Sequence, residues 1–349
     1  MKKRTALSFI IIIILILYIF LASRTIGKEY HFSPVWVRDL QKAELSAFSE
    51  KEDYIGFQLG SIFGYFSLDG DIIYLNKSLY RTALGRDIFF NYSNKPQNLV
   101  ARDLEGRIQF SIDRRGYPVI LRNRIFVISE EGNGISEWDR EGNMLWEHWY
   151  VSLITSIDVN KENLLLGFLN GSIELIDGEG KSIYQYVPEH SRIKAVYGCA
   201  LSEDSTVLAL VSGIDPQRLT ILENKEDTFR VIDSRITDTA FRRTMFMRFI
   251  GGYLFIEGSE SINYLEVGRK DLYSVPIHGG LRAVKYDNAG KYYIFSESEG
   301  NTWLQAIESP MYQIAETKIE GAPVFIENRD SIIFLGIGYK LMRIDLLEK

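Results

Sequence analysis

From about Tyr30 onward, short apolar runs rich in β-branched and aromatic residues alternate with breaks built from Gly, Asn and Asp. No long 3.6-residue period runs through this region, so the pattern predicts strands and tight turns. The clearest stretch is Leu153 to Val187. It reads as strands at Ile154–Val159, Leu164–Leu169, Ser172–Ile176 and Ser182–Val187, with turns at Asn160–Asn163, Asn170–Gly171 and Asp177–Gly180. Asn-Gly between two apolar runs is a strong hairpin signal, because both residues tolerate a positive φ. The preceding stretch, Tyr117 to Tyr150, repeats the plan with strands at Val119–Leu121, Arg124–Ser129, Ile135–Trp138 and Met144–Trp149.

The plan recurs with a period. Gly70, Gly106, Gly142 and Gly180 are spaced by 36, 36 and 38 residues, and each is followed four positions later by an aromatic: Tyr74, Phe110, Trp146 and Tyr184. In the last three, Asp103, Asp139 and Asp177 precede the Gly by three positions. Repeats of this length are the signature of stacked supersecondary units. Units are expected at Ala43–Leu75, Leu79–Asp113, Tyr117–Tyr150, Leu153–Val187, Arg192–Asp233, Thr237–Pro276 and Leu281–Lys318. The tail holds three strands, Val324–Glu327, Ile332–Gly336 and Leu341–Leu346, and lacks a fourth. Phe32–Asp39 reads as a strand with no unit of its own, so it is expected to complete the last sheet and close a ring. Closure removes exposed sheet edges. The expectation is an all-β propeller of eight four-stranded blades over residues 31–349. Seven blades is the alternative, should Leu79–Asp113 or Thr237–Pro276 merge with a neighbour.

The N-terminus has a different character. Lys2, Lys3 and Arg4 form a basic tail (residues 1–4) before an uncharged apolar run, Thr5–Ser23. Nineteen residues of helix at ~1.5 Å each span about 28 Å, close to the ~30 Å hydrocarbon core of a bilayer. A cleaved signal has a shorter apolar stretch and a small-residue cleavage site. An uncleaved anchor over residues 5–23 is therefore favoured over a cleaved signal, with residues 24–30 as a linker. The basic tail predicts a cytoplasmic N-terminus and a body beyond the membrane. In a bacterium that means the cytoplasmic (inner) membrane, single-pass, with the bulk of the chain periplasmic or extracellular.

The segments DLEGRIQF (Asp103–Phe110), DREGNMLW (Asp139–Trp146) and DGEGKSIY (Asp177–Tyr184) resemble the blade motif of the quinoprotein-like (PQQ-like) propellers. That motif reads roughly A-x-D-x-x-T-G-x-x-x-W between the third and fourth strands. Its Trp is present only at Trp146, and its Thr is replaced by Glu105, Glu141 and Glu179. Two to four blades carry the likeness; the rest are generically propeller-like, as in WD40-type repeats. The resemblance implies either a quinone-dependent dehydrogenase or one of the catalytically silent members that serve as periplasmic binding scaffolds. The dehydrogenases are much longer and typically use an adjacent cysteine pair, whereas this chain has one cysteine, Cys199. The motif residues also have a reading that needs no cofactor: Asp caps the turn, Gly supplies a positive φ and the aromatic packs between blades.

Net charge is −6, without a basic stretch dense enough for a nucleic-acid footprint. Cys199 sits among Val196, Tyr197, Ala200 and Leu201 and reads as a small core residue. His31, His148, His190 and His278 lie in different units with no metal-type spacing. No nucleophile elbow, phosphate loop or dinucleotide fingerprint is present. Gly251–Gly252 and Gly279–Gly280 read as hairpin turns. Two stretches are candidates for a partner surface. One is WEHWY (Trp146–Tyr150), which contains His148 and Trp149, with Trp138 nearby. The other is FRRTMFMRF (Phe241–Phe249), which concentrates Arg242, Arg243 and Arg248 among aromatics. The functional expectation is a membrane-tethered protein-binding or scaffolding module without cofactor or metal, partnered by another envelope protein. The alternative is a propeller enzyme, either quinone-dependent or a hydrolase with carboxylates in the central channel.

Overall fold

The structure, a computed structural model, describes residues 29–349 apart from 189–192, 215, 227, 270 and 309–311. The expected basic tail and anchor (residues 1–23), most of the linker and His190 lie outside the described residues. Among those described, no helix is long and apolar enough to cross a membrane.

The described residues form eight antiparallel sheets that follow one another along the chain as the blades of a ring. The expected unit boundaries hold to within a few residues for the second to fifth and seventh blades, whereas the first strands of the first and sixth blades begin at Tyr54 and Met247, well after the expected Ala43 and Thr237. The fourth blade, for example, has strands Ile154–Val159, Leu164–Phe168, Ile173–Ile176 and Ser182–Tyr186. Neither Arg81–Ile112 nor Met247–Pro276 merges with a neighbour, so the count is eight. One expectation about a turn changes: Gly251–Gly252 is a hairpin turn, but Gly279–Gly280 joins the sixth blade to the seventh.

Ring closure uses the N-terminal strand. Tyr30–Asp39 pairs antiparallel with Lys340–Glu348 and becomes the fourth strand of the eighth blade, after Pro323–Arg329, Ile332–Ile337 and Lys340–Glu348. The register runs from Tyr30 opposite Glu348 to Asp39 opposite Lys340, and Lys349 N–H donates to Glu29 C=O at 2.8 Å. The two ends of the ring therefore meet where a third-to-fourth turn would stand in any other blade. We call the side carrying the first-to-second and third-to-fourth turns the lower face. The upper face carries the second-to-third turns and the blade-to-blade connections.

The first blade departs from the plan, with three strands: Tyr54–Leu59, Ile62–Ser67 and Ile72–Lys77. They occupy the second to fourth positions. The Asp69–Gly70 turn joins the last two, and their pairing carries a bulge at Tyr65/Phe66, as third–fourth pairs do at Ala101/Arg102 and Glu137/Trp138. Residues 41–53, which would supply the inner strand, are rich in Lys, Glu and Ser and poor in β-branched residues, a composition unsuited to a pleated, half-buried surface. They form turns and a single bridge, Leu45 to Ile72.

The core is divided into inter-blade clusters. Second strands supply the largest share of it: Phe90, Phe126, Leu166, Leu210, Phe255, Phe295 and Phe334 are all fully or almost fully buried. Each cluster joins neighbours, as where Ile88, Phe90, Ile125 and Val127 unite the second and third blades.

Candidate functional site

The repeated motif proves to be an inter-blade joint. Asp103 Oδ1 accepts from the N–H groups of Glu105 and Arg107 at 3.0 and 2.9 Å. Asp139 Oδ1 does so from Glu141 and Asn143, both at 2.8 Å, and Asp177 Oδ1 from Glu179 and Lys181 at 3.0 and 2.8 Å. The position at which the quinoprotein motif has Thr contributes its backbone N–H here, so Glu serves equally well. Hydrogen bonding of this kind favours the charged carboxylate. The Asp139 carboxyl is held below its usual range chiefly by the Asn143 side chain and then by backbone donors. For Asp103, partial burial acts upward, but the Arg107 guanidinium and the turn amides outweigh it, leaving the carboxyl low.

Gly70, Gly106, Gly142 and Gly180 all have φ between 84° and 89°. Each also lies against the motif aromatic of the preceding blade. A methyl group on Gly106 would stand 2.9 Å from Tyr74 Cε2, and one on Gly142 would stand 3.2 Å from Phe110 Cδ2. One on Gly180 would stand 2.6 Å from Trp146 Cβ, and one on Gly70 would stand 2.8 Å from Trp36 Cε2. Trp36, on the closing strand, thus holds the aromatic position of the eighth blade. Sequence reasoning missed it, because Trp36 has no motif glycine of its own four residues earlier. The series ends at Tyr184, which meets Phe229 of the fifth blade with ring centroids 4.7 Å apart.

The six residues singled out as a partner surface are not brought together. Trp138 is half-buried against the core between the second and third blades, with its Nε1–H donating to Ser136 Oγ at 2.8 Å. His148 stands between Trp146 and Tyr150, and its Nε2 donates to Gly180 C=O at 2.6 Å. Arg243 is tied to Glu257 by two hydrogen bonds and lies over the Phe241 ring. These three act within the fold. Trp149 is 55% exposed, with the Arg114 guanidinium 5.5 Å from its ring centre. Arg242 is exposed on the connection between the fifth and sixth blades, whereas Arg248 faces the channel from the first strand of the sixth.

Two other surfaces stand out. On the upper face of the fourth blade, Val151, Leu153, Leu169 and Ile193 are all exposed. They are contiguous: Leu169 N–H donates to Leu153 C=O at 2.9 Å, and Gly171, two residues on, packs against Lys194 beside Ile193. Trp149 and Val187 extend the apolar surface along the ends of the outer strands. Soluble monomers rarely leave contiguous apolar patches of this kind uncovered. The signal available in the sequence was a run of aliphatics at blade connections, masked because Leu169 and Val187 read as the last residues of strands.

The second surface is a cavity of about 700 Å³ at the lower mouth of the channel. First-to-second turns of four blades line it, contributing Arg122, Glu203, Asp204, Gly251 and Asn288. Arg122 of the third blade reaches over the fourth to pair with Glu203 of the fifth. Beside it, a cavity of about 430 Å³ is walled by Ser156, Asp158, Cys199 and Met245, and Arg248 borders both. Burial pushes the Asp158 carboxyl up, against the pull of the Leu201 N–H and the Arg248 charge. Cys199 is buried, and its Sγ–H donates to Ser156 Oγ at 3.3 Å. Among the described residues, no group of three or more His, Cys, Asp or Glu side chains is placed to hold a metal ion.

The model of a beta-propeller protein family matches residues 1–349. The chain belongs to that family. It is similar to an uncharacterized protein of Treponema pallidum (strain Nichols), 22% identical over 344 residues, which cover 95% of this chain and 91% of that one. Among solved structures, BamB from Moraxella catarrhalis superposes with a TM-score of 0.65 at 11% identity, over 90% of this propeller and 99% of BamB. The computationally designed Ika8 protein matches with a TM-score of 0.65 at 12% identity, over 92% of this chain and all of that one. The Dos1 propeller matches at 0.61 and 10% identity, over 90% and 95%. At these identities the likeness is one of fold.

Proposed function

We propose that this chain is a membrane-tethered, extracytoplasmic propeller that acts as a protein-binding or scaffolding module of the cell envelope. The observation that carries the reading is the apolar upper face of the fourth blade: Val151, Leu153, Leu169 and Ile193. Fully burying an exposed Val, Leu or Ile side chain is worth about 1.5–3 kcal/mol, so four at one place, Val151 fully exposed and the others about half, suit a docking surface. The tether rests on Lys2, Lys3, Arg4 and the apolar run 5–23. Glu29, where the described chain starts, lies on the lower face at the rim of the eighth blade. On this reading the ring hangs from its lower side, and the apolar face of the fourth blade turns away from the bilayer toward partners. The fold shared with BamB is compatible with such a role.

Replacing Val151 and Leu169 with Ser tests the reading. The doubly substituted full-length chain should keep its melting temperature and lose its co-purifying envelope protein from gently solubilised membranes. Recovery of an undiminished partner, or failure of the unaltered chain to bring down any protein, would refute it.

A further inference from the structure

The charges around the lower-mouth cavity do not cancel locally, and the remainder has a pattern. Arg122 is paired with Glu203, and Lys285 Nζ donates to Glu327 at 3.0 Å. Two charged groups on the wall are left. Arg248 has neither a hydrogen bond nor an ion pair from its guanidinium among the described residues, and its charge is felt by Asp158 in the neighbouring cavity without direct contact. Asp204 has no cationic partner there. Its Oδ1 takes the Ser202 hydroxyl at 2.6 Å, the Thr206 hydroxyl at 2.8 Å and the Thr206 N–H at 3.1 Å, while Oδ2 takes nothing among the described residues. Those donors also hold the carboxyl below its usual range, the Ser202 hydroxyl most of all, so Asp204 is ionised at neutral pH. The apolar side chains Phe249, Val267 and Val284 line the same cavity.

A cation without an ion pair, a free carboxylate oxygen and apolar side chains on one cavity wall describe the complement of a zwitterion with an aliphatic middle. A volume of about 700 Å³ lies within the range of sites that enclose small organic ligands, about 300–1,000 Å³. We propose that the lower mouth of the channel binds a short zwitterionic peptide, with its carboxylate on Arg248 and its ammonium on Asp204. The site is separate from the apolar upper face and does not depend on the scaffold reading.

The probe is the dipeptide Leu-Leu, alongside its N-acetylated and C-amidated forms, titrated calorimetrically into the full-length chain. Leu-Leu should bind saturably, and blocking either end should weaken it by about threefold to tenfold, the worth of one charge-assisted hydrogen bond partly open to water. Arg248→Gln should abolish the difference between Leu-Leu and its amide. Asp204→Asn, which keeps the Oδ1 acceptor of the turn, should abolish the difference between Leu-Leu and its acetylated form. Arg242→Gln, at an exposed arginine outside the cavity, should change neither. Should a cavity variant fail to fold, the three ligands on the unaltered chain still decide the matter. No saturable heat up to about 10 mM peptide, enough to saturate a site with a dissociation constant of about 1 mM, would overturn the proposal. So would equal affinity for blocked and free dipeptides.

Discussion

Gly180 of the fourth blade lies against Trp146 of the third so closely that a methyl group on it would stand 2.6 Å from Trp146 Cβ and 2.8 Å from Cδ1. The glycine meets two demands at once: a φ of 84°, and space for the neighbouring indole. The same joint recurs at Tyr74–Gly106 and Phe110–Gly142, which explains why glycine and aromatic repeat together at the blade period.

Gly252 separates the two demands. Its φ is 88°, yet nothing lies within 4 Å of a methyl group there. Gly252→Ala should cost only the left-handed conformation, about 1–2 kcal/mol. Gly180→Ala should cost about 1–3 kcal/mol more, the price of overpacking. Urea unfolding of both variants measures the difference, and equal losses would show that the joint is not tight.

Trp36 should matter to closure beyond its size. It contacts Phe66 of the first blade and Phe334 of the eighth at centroid distances of 6.0 and 6.1 Å, and its Nε1–H donates to Leu68 C=O at 3.3 Å. Trp36→Ala should lower stability by about 3 kcal/mol. His31→Ala, at an exposed position on the same strand, should stay within about 0.5 kcal/mol of the unaltered chain. Similar losses for both would mean that the strand adds pairing but no joint.

Acid should weaken the turns. Asp103 and Asp139 have carboxyls held below their unfolded value. Their charged forms therefore contribute stability that is complete above about pH 4 and disappears as pH falls through the depressed values. Asp139→Asn should be less stable than the unaltered chain at neutral pH, and the gap should close on acidification. Denaturant midpoints across the acid range measure it, and a gap that widens in acid would reverse the assignment.

Cys199 should be inert in the folded ring. Burial pushes its thiol up to about 12, outweighing the Ser156 hydroxyl, which acts the other way. Because the thiolate is the reactive form, a thiol reagent at neutral pH should label the folded chain slowly and the urea-unfolded chain promptly. Fast labelling of the native protein would show that the channel wall opens at this strand.

Much of the ring was legible in the sequence because its determinants are local. Asp177–Gly180 marks a turn by its own chemistry, and the strands on either side show period-two patterning. Ring closure followed from bookkeeping, since three tail strands and an orphan strand make one blade. The missing inner strand of the first blade was not legible, because Ala43 to Asp53 had to be weighed against a ring that tolerates a three-stranded member. Nor was the site. Arg122 and Glu203 are 81 residues apart, and only closure brings their turns to one mouth. Arg243 is exposed as the sequence suggested, but its tie to Glu257, buried on a neighbouring strand, could not be read from the sequence. Leu169 and Val187 read as strand ends, whereas the turns lift them onto the surface.

The most direct test of the binding account is photo-crosslinking in intact cells. A photoreactive residue would replace Val151 or Leu169 on the upper face and, in separate chains, Asn123 or Asp330 on lower-face turns. The account predicts one adduct of defined mass from both upper positions and none from the lower pair. Adducts from the lower positions alone, or none from Val151 and Leu169, would contradict it.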